Sequence, residues 1–307
     1  MPEPEVSLIM PVWRPRPDWF VAAVQSALQE RACSIELIVV DDGNSEPVEK
    51  HLRAVSDERL SMIRIEHAGP SGARNAGLAV ARGRFVRFID SDDIVVAGST
   101  GRLFAAAAAP PAAIAHGGTA ICDAQLRPTG RVIASSLEGD ITRECVLGKF
   151  DTRIVSMLFP RTVLDVAGPF DTSFELNEDW DFVLRALEFG DARPVEGVAT
   201  FYRRHGSSQQ GGATIAKSEE VWHRILDKYL ERHPELRRSR FAREARAKIY
   251  LDRAPAYAAR RQPLEATRVL IRGGRVLPGR AVKTTPRVAR SVFGSILRQP
   301  EQARRQA

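Results

Sequence analysis

Three cysteines are all that 307 residues contain, and Cys33, Cys122 and Cys145 form neither a CxxC pair nor an even framework. That pattern fits reduced thiols better than disulfides or a zinc site. No apolar run approaches the roughly 20 residues needed to span a bilayer, so a transmembrane helix is not expected. The opening residues, Met1-Pro2-Glu3-Pro4-Glu5, lack the basic-then-apolar order of a signal peptide. A cytoplasmic chain, at most touching the inner face of the membrane, is the expectation. Also missing are a GxGxxG turn and a GxxxxGK(S/T) loop, so neither a dinucleotide fingerprint nor a P-loop is present. No internal repeat recurs at a fixed period.

What remains is an ordinary globular composition, 44% hydrophobic and 27% charged. The length suits one large α/β domain or a domain with an appendage. The net charge of +7 hides a division. From Glu231 to Ala307 there are 20 Lys and Arg against 6 Asp and Glu, a net +14; the preceding residues carry 25 against 32, a net −7. A basic tail is joined to an acidic body. Few aromatic residues accompany the tail's arginines, which argues against a stacking platform for single strands, and no nucleic-acid partner is expected. An anionic membrane surface is a candidate partner for the tail.

The first ninety residues alternate β-branched strands with helical patterns. Strands are predicted at 6–12, 34–40, 60–65 and 85–89, and helices at 18–29, 46–55 and 72–81. In the first helix Trp19, Phe20, Val24 and Leu28 recur at helical spacing, with Asp18 placed to cap it. Such alternation implies βαβ units and a parallel sheet with helices on both faces. Beyond residue 100 the alternation weakens to a helix at 103–109, short strands, and a helix at 179–189. After Gly211-Gly212 the pattern turns helical, at 216–232, 241–261, 264–271 and 286–297.

In open parallel sheets ligands bind beyond the carboxyl ends of the strands. Strand two ends at Asp41-Asp42-Gly43, and strand four at Asp90-Ser91-Asp92-Asp93. Alternating carboxylates suit a hard cation, Mn2+ or Mg2+, with substrate phosphates completing its shell. Asp41 and Asp42 could accept bonds from a nucleobase or a ribose. The run Gly69 to Gly77 opens a helix with small residues and offers Arg74. Asn177-Glu178-Asp179-Trp180-Asp181 places three carboxylates at a helix start, where one could act as general base. His205 follows a short apolar strand and is a candidate metal ligand. Taken singly, each has a plain structural explanation: turns at strand ends favour Asp and Gly, and helix dipoles favour early carboxylates. Their convergence on one sheet edge is what points to a site.

In order, SLIMPVWRP, ELIVVDDGN, GPSGARNAG, GRFVRFIDSDD, VAGPFDTSF, NEDWDF and FYRRHGSS resemble the landmarks of the family 2 glycosyltransferases. The resemblance covers residues 6–208 and implies a GT-A fold, a Rossmann-like nucleotide-binding sheet followed by a C-terminal helical extension. It implies a domain at 1–210, with 1–93 holding the nucleotide-sugar and 94–210 the acceptor, and a basic helical extension at 211–307. Pro11, Val12, Trp13, Asp41, Asp42, Arg74, Asp90 and Ser91 would then line the nucleotide. Asp90, Asp92 and His205 would hold the metal, and Asp179 would be the catalytic base. The implied activity is inverting transfer from a nucleoside-diphosphate-sugar, UDP-sugar favoured, to a glycan, lipid-linked or small-molecule hydroxyl. Two departures bear on the base: Trp13-Arg14 stands where the family has Tyr-Asn, and Asn44 where it has Ser.

Two other readings remain open. A nucleotidyltransferase also needs acidic metal ligands, but its Gly-rich loop after strand one is here Trp13-Arg14-Pro15-Arg16-Pro17, without glycine. A sugar-nucleotide-binding module would keep the nucleotide site and lack transfer.

Overall fold

The computed structural model describes residues 3–205 and 215–277, and the chain divides into two compact units after Ser208. The first unit carries nine strands: β1 (Val6–Val12), β2 (Ile35–Asp42), β3 (Leu60–Ile65), β4 (Phe85–Phe88), β5 (Ile94–Val95), β6 (Ile114–Cys122), β7 (Pro128–Ile133), β8 (Met157–Pro160) and β9 (Ala192–Arg203). They form a sheet of order β3-β2-β1-β4-β8-β6-β9-β5, with β7 on β6. Pairing is parallel from β3 through β4. It turns antiparallel where β8 enters between β4 and β6. Six helices accompany the sheet among the described residues of this unit: α1 (Pro17–Ala27), α2 (Gly69–Val80), α3 (Ser99–Ala108), α4 (Thr142–Val146), α5 (Arg161–Ala167) and α6 (Glu178–Leu187).

Strand alternation decides which helix covers which face. Val6, Leu8, Met10 and Val12 share one core with Phe20, Ala23, Val24 and Ala27 of α1 and Leu103 and Ala107 of α3. Ile9 points the other way, toward α2. A Cβ added at Gly77 would lie 2.4 Å from Ile9 Cγ2 and 3.2 Å from Val40 Cγ2, so only glycine lets α2 seat this close. Helices thus cover both faces. Each fully buried large apolar side chain contributes about 1.5–3 kcal/mol, which makes this two-sided core the main driving force of the unit.

The boundaries shift for local reasons. Pro17 occupies the first turn of α1, so the helix starts there and Asp18 pairs with Arg16 instead of capping. Strand β2 runs on through Asp42. The helix predicted at 46–55 shrinks to a 3-10 turn, Val48–His51. At its start the buried Asp41 carboxylate accepts from the Val48 N–H at 3.2 Å. Helix α2 starts at Gly69, earlier than its predicted start at 72.

The second unit is helical: α7 (Ile215–Arg232), α8 (Arg240–Ala259) and α9 (Pro263–Val276). Ser239 caps α8, its hydroxyl accepting from the Ala242 N–H at 3.1 Å. Ile215, Ala254, Tyr257, Ala258, Ala266 and Val269 form its core. Helix α9 runs past its predicted end at 271 to Val276. The helix predicted at 286–297 lies outside the described residues. No described helix is long and apolar enough to cross a membrane.

One feature of β4 has no counterpart in the predicted pattern. Arg87 is fully buried in the strand, and burial pulls its guanidinium down to about 10. Its donors reach Ser99 Oγ, Thr100 Oγ1, Thr200 Oγ1 and the carbonyls of Val155 and Ala199, all within 3.1 Å. It therefore ties β4 to the start of α3, the turn before β8 and β9 without one carboxylate. Arg87→Ala removes every bond and leaves a cavity with orphaned acceptors, so we expect a loss of about 3–5 kcal/mol in urea unfolding. Arg87→Lys should recover little, since a single ammonium cannot span three segments. A loss below about 1 kcal/mol for the alanine variant would contradict this role.

Candidate active site

Asp41 and Asp42 are adjacent on β2 and project to opposite faces, as strand residues must. Asp41 is consumed by its own turn. It accepts from the Asn44 N–H (3.0 Å), Asn44 Nδ2 (2.7 Å) and the Val48 N–H (3.2 Å). Asn44 in turn donates to the Val12 carbonyl at 2.9 Å and accepts from the Arg14 N–H at 2.6 Å. The residue replacing the family's serine is thus a clamp joining the ends of β1 and β2. Asp42 faces α2: Oδ1 accepts from the Ala68 N–H at 2.7 Å, and Oδ2 lies 2.9 Å from His67 Nδ1. Gly43 makes the turn possible, with φ +68° and the His67 nitrogen 2.6 Å from where a Cβ would sit.

Trp13, 45% exposed, stands at this edge. Its ring stacks on His67, centroids 4.7 Å apart at 18°, and the Arg14 guanidinium sits 4.4 Å from it. Pro11 is half-buried and Val12 buried in β1, so both meet the edge through backbone.

The second group is on the β4–β5 turn. Asp90, Asp92 and Asp93 each offer an oxygen, and the three oxygens lie within 4.8 Å of one another. Ser91 sits half-buried between them. Burial and then the Asp90 charge raise the Asp92 carboxyl, while His205 Nε2 meets its Oδ2 at 2.7 Å. Asp93 is buried; its Oδ1 accepts from the Arg203 N–H at 2.9 Å, and its Oδ2 has no hydrogen-bond partner. Burial, followed by the charges of Asp92 and Asp90, holds Asp93 well above the usual carboxylate range. Three mutually repelling carboxylates with an orphaned buried oxygen are a donor set of the kind a hard divalent cation relieves. Asp93 was not among the predicted ligands, although its place directly after Asp92 is the signal that would have found it. Arg203 fixes the turn from β9, its Nε donating to the Asp92 carbonyl at 2.8 Å.

The third group is the start of α6. Asp179 is half-buried, and its carboxylate accepts from the Trp180 N–H at 2.9 Å. Burial, then the neighbouring Glu178 charge, raises its pKa to about 6, with Arg74 and Arg153 opposing. Asp181 turns inward to Arg185 at 3.0 Å and serves the fold. Arg185 then binds the carbonyls after α5, including Pro169 at 2.8 Å.

Arg74 of α2 joins the second and third groups. Only 6% exposed, it donates to Asp90 at 3.1 Å and to Glu178 at 2.9 Å. Its neighbour Asn75 clamps the Phe170 backbone with two bonds, at 2.9 and 2.8 Å. Glu178 escaped the sequence reading because it looks like an ordinary first-turn carboxylate. The structure therefore brings Asp90, Asp92, Asp93, His205, Arg74 and Asp179 into one connected cluster, while Asp41 is engaged by its own turn and, at 3.8 Å, by Arg64 of β3.

The profile of the family described as Glycosyl transferase family 2 matches residues 7–165. Succinoglycan biosynthesis protein ExoO of Rhizobium meliloti is 28% identical over 271 residues, which cover 81% of this chain and 76% of ExoO. The Escherichia coli UDP-Glc:alpha-D-GlcNAc-diphosphoundecaprenol beta-1,3-glucosyltransferase WfgD is 39% identical over 93 residues. Those residues are 30% of this chain and 36% of WfgD, so the likeness spans about a third of that relative. Among solved structures, S. aureus TarS 1-349 in complex with UDP-GlcNAc superposes with a TM-score of 0.61 at 16% identity, over 94% of this chain and 87% of that one. At that identity the likeness is one of fold, the GT-A type.

The Asn44 clamp makes a stability prediction. Asn44→Ala strips Asp41 of one donor and leaves the Val12 carbonyl and Arg14 N–H without their partner. A loss of about 1–3 kcal/mol is expected in urea unfolding, with the m-value unchanged. A loss under about 0.5 kcal/mol would show that water replaces the side chain without cost.

Proposed function

The chain belongs to glycosyl transferase family 2, and we propose that it moves a sugar from a nucleoside-diphosphate-sugar, a UDP-sugar first, to an acceptor hydroxyl with inversion at the anomeric carbon. One observation carries this reading. Asp179, with its pKa raised to about 6, is linked through Glu178, Arg74 and Asp90 to a cluster of carboxylates suited to a cation. A base poised near neutrality beside a place for a leaving diphosphate is what a direct displacement requires.

In this reading Asp179 takes the proton of the acceptor hydroxyl as its oxygen closes on the anomeric carbon. Trp13 and Asp42 receive the base and ribose. Asp90 and Asp92, with Asp93 and His205 beside them, would hold Mn2+ or Mg2+, whose Lewis acidity offsets the charge of the departing diphosphate. Arg74, already engaged by two carboxylates, orients Asp90 and Glu178 rather than reaching the nucleotide. A lipid-linked or glycan acceptor fits the company of ExoO and WfgD, and polysaccharide synthesis is the proposed setting. Helix α9 exposes Leu264 and Ile271 among arginines, a candidate face for an anionic membrane that liposome co-sedimentation would read.

The test is release of nucleoside diphosphate from the donor, followed against pH. Asp179 must be ionised to accept a proton, so the rate should fall about tenfold per unit as pH drops below about 6. Asp179→Asn should abolish turnover while donor binding persists. Binding of the donor with no turnover by the parent would favour a sugar-nucleotide-binding module. An acid limb near the ordinary carboxylate value would remove Asp179 from the role of base.

A further inference from the structure

Most cations around the site already have an occupation. Arg74 holds Asp90 and Glu178, Arg203 holds the carbonyls of Asp92 and Ala124, and Arg185 holds Asp181. Arg153 is different. It precedes the short 3-10 turn Ile154–Ser156 that leads into β8. Its Nε is buried with no hydrogen-bond partner. Among the described residues no hydrogen bond or ion pair to its guanidinium is found, although the group lies 5.6 Å from the Tyr202 ring centroid.

Two neighbours locate it. Its charge is close enough to oppose the upward shift of Asp179. Burial first, and then the charges of Asp90, Asp93 and Asp92, pushes the phenol of Tyr202, on which it packs, up to about 12. Arg153 therefore packs on β9 beside Arg203, the residue that holds the Asp92–Asp93 turn, within electrostatic reach of the candidate base. A buried N–H without a partner costs the folded chain stability, and such a cost persists where a ligand supplies the missing acceptor. The ligand expected there is an anion, and a planar guanidinium matches phosphate oxygens better than a lone ammonium does.

We propose that Arg153 is a phosphate-binding residue of this site and that its partner is the diphosphate of the donor. This rests on the reading that the site takes a nucleoside-diphosphate-sugar. As the acceptor oxygen bonds to the anomeric carbon, the bond from that carbon to the β-phosphate oxygen breaks. The electron pair goes to the phosphate oxygen, the acceptor proton goes to Asp179, and Arg153 faces the oxygen that gains charge. Arg74, which the resemblance places along the nucleotide, is already engaged by Asp90 and Glu178.

The test is calorimetry of UDP, GDP and dTDP with Mn2+ against the intact chain, Arg153→Met and Arg153→Lys. The methionine keeps an apolar stem over Tyr202. The diphosphate that the parent binds should bind Arg153→Met about 10- to 100-fold more weakly, with partial recovery in Arg153→Lys. The matching nucleoside monophosphate should lose much less. The unfolding midpoint of Arg153→Met without nucleotide should be no lower than the parent's, because the side chain removed had an unsatisfied donor. Equal diphosphate binding by parent and Arg153→Met overturns the proposal and leaves the glycosyltransferase reading standing. In that case a raised KM for the acceptor alone would mark an acceptor phosphate as the true partner. A lowered midpoint that accounts for the weaker binding makes Arg153 structural and also overturns it. A parent that binds no diphosphate overturns both.

Discussion

The site depends on one buried guanidinium. Arg74 stands on α2 with Asp90 on one side and Glu178 on the other, 3.1 and 2.9 Å away. The two carboxylates come from segments far apart in the chain, the end of β4 and the start of α6. Burial alone would favour the uncharged guanidine; the charges of Asp90 and Glu178 outweigh it and hold the group above its ordinary value. Without the cation, two largely desolvated carboxylates would face each other and Asp179, and removing one partner of such a set is far worse than never having built it. Arginine suits the position because its fork reaches both carboxylates at once. Asn75, one residue on, fastens the Phe170 backbone to the same helix, so two adjacent side chains fix the loop that leads into α6.

Around that bridge, strand geometry assigns each acidic residue its task. In Asp41-Asp42 the alternation sends the first carboxylate into a closed turn and the second toward the head of α2. In Asp90-Ser91-Asp92-Asp93 the first meets Arg74, the third meets His205, and the last is drawn under β9 by the Arg203 N–H. Neighbouring carboxylates thus end with different partners. That division would let one edge of a sheet serve nucleotide, cation and base together, as the proposed function requires. Arg87, within β4 and bonded only to neutral acceptors, ties the strand that leads to the cluster to β9.

Much of this was legible in the residues. The β-branched runs and helical spacing of the first ninety residues predicted the parallel half of the sheet, and the order of the motifs predicted the family. The mixed half was not legible, because β5, β8 and β9 take partners distant in sequence and bear no local sign of which. The helix predicted at 46–55 is a 3-10 turn, Val48–His51, whose first N–H is held by Asp41. The motif marked Asp179 as a candidate, whereas nothing in the sequence singled out Glu178, Asn75 or Arg153. Their importance lies in what they touch or fail to touch, and spacing along the chain carries no such information.

The account holds that Arg74 makes the carboxylate cluster and the base a single electrostatic unit, and the pH profile of Arg74→Met tests this most directly. With donor hydrolysis as the assay and folding verified by circular dichroism, loss of the cation should strengthen the hold of Asp179 on its proton. The acid limb, expected near 6 in the parent, should then move up by about one unit. An acid limb that stays where the parent has it would mean that Arg74 braces the fold without governing the base, and would contradict the account.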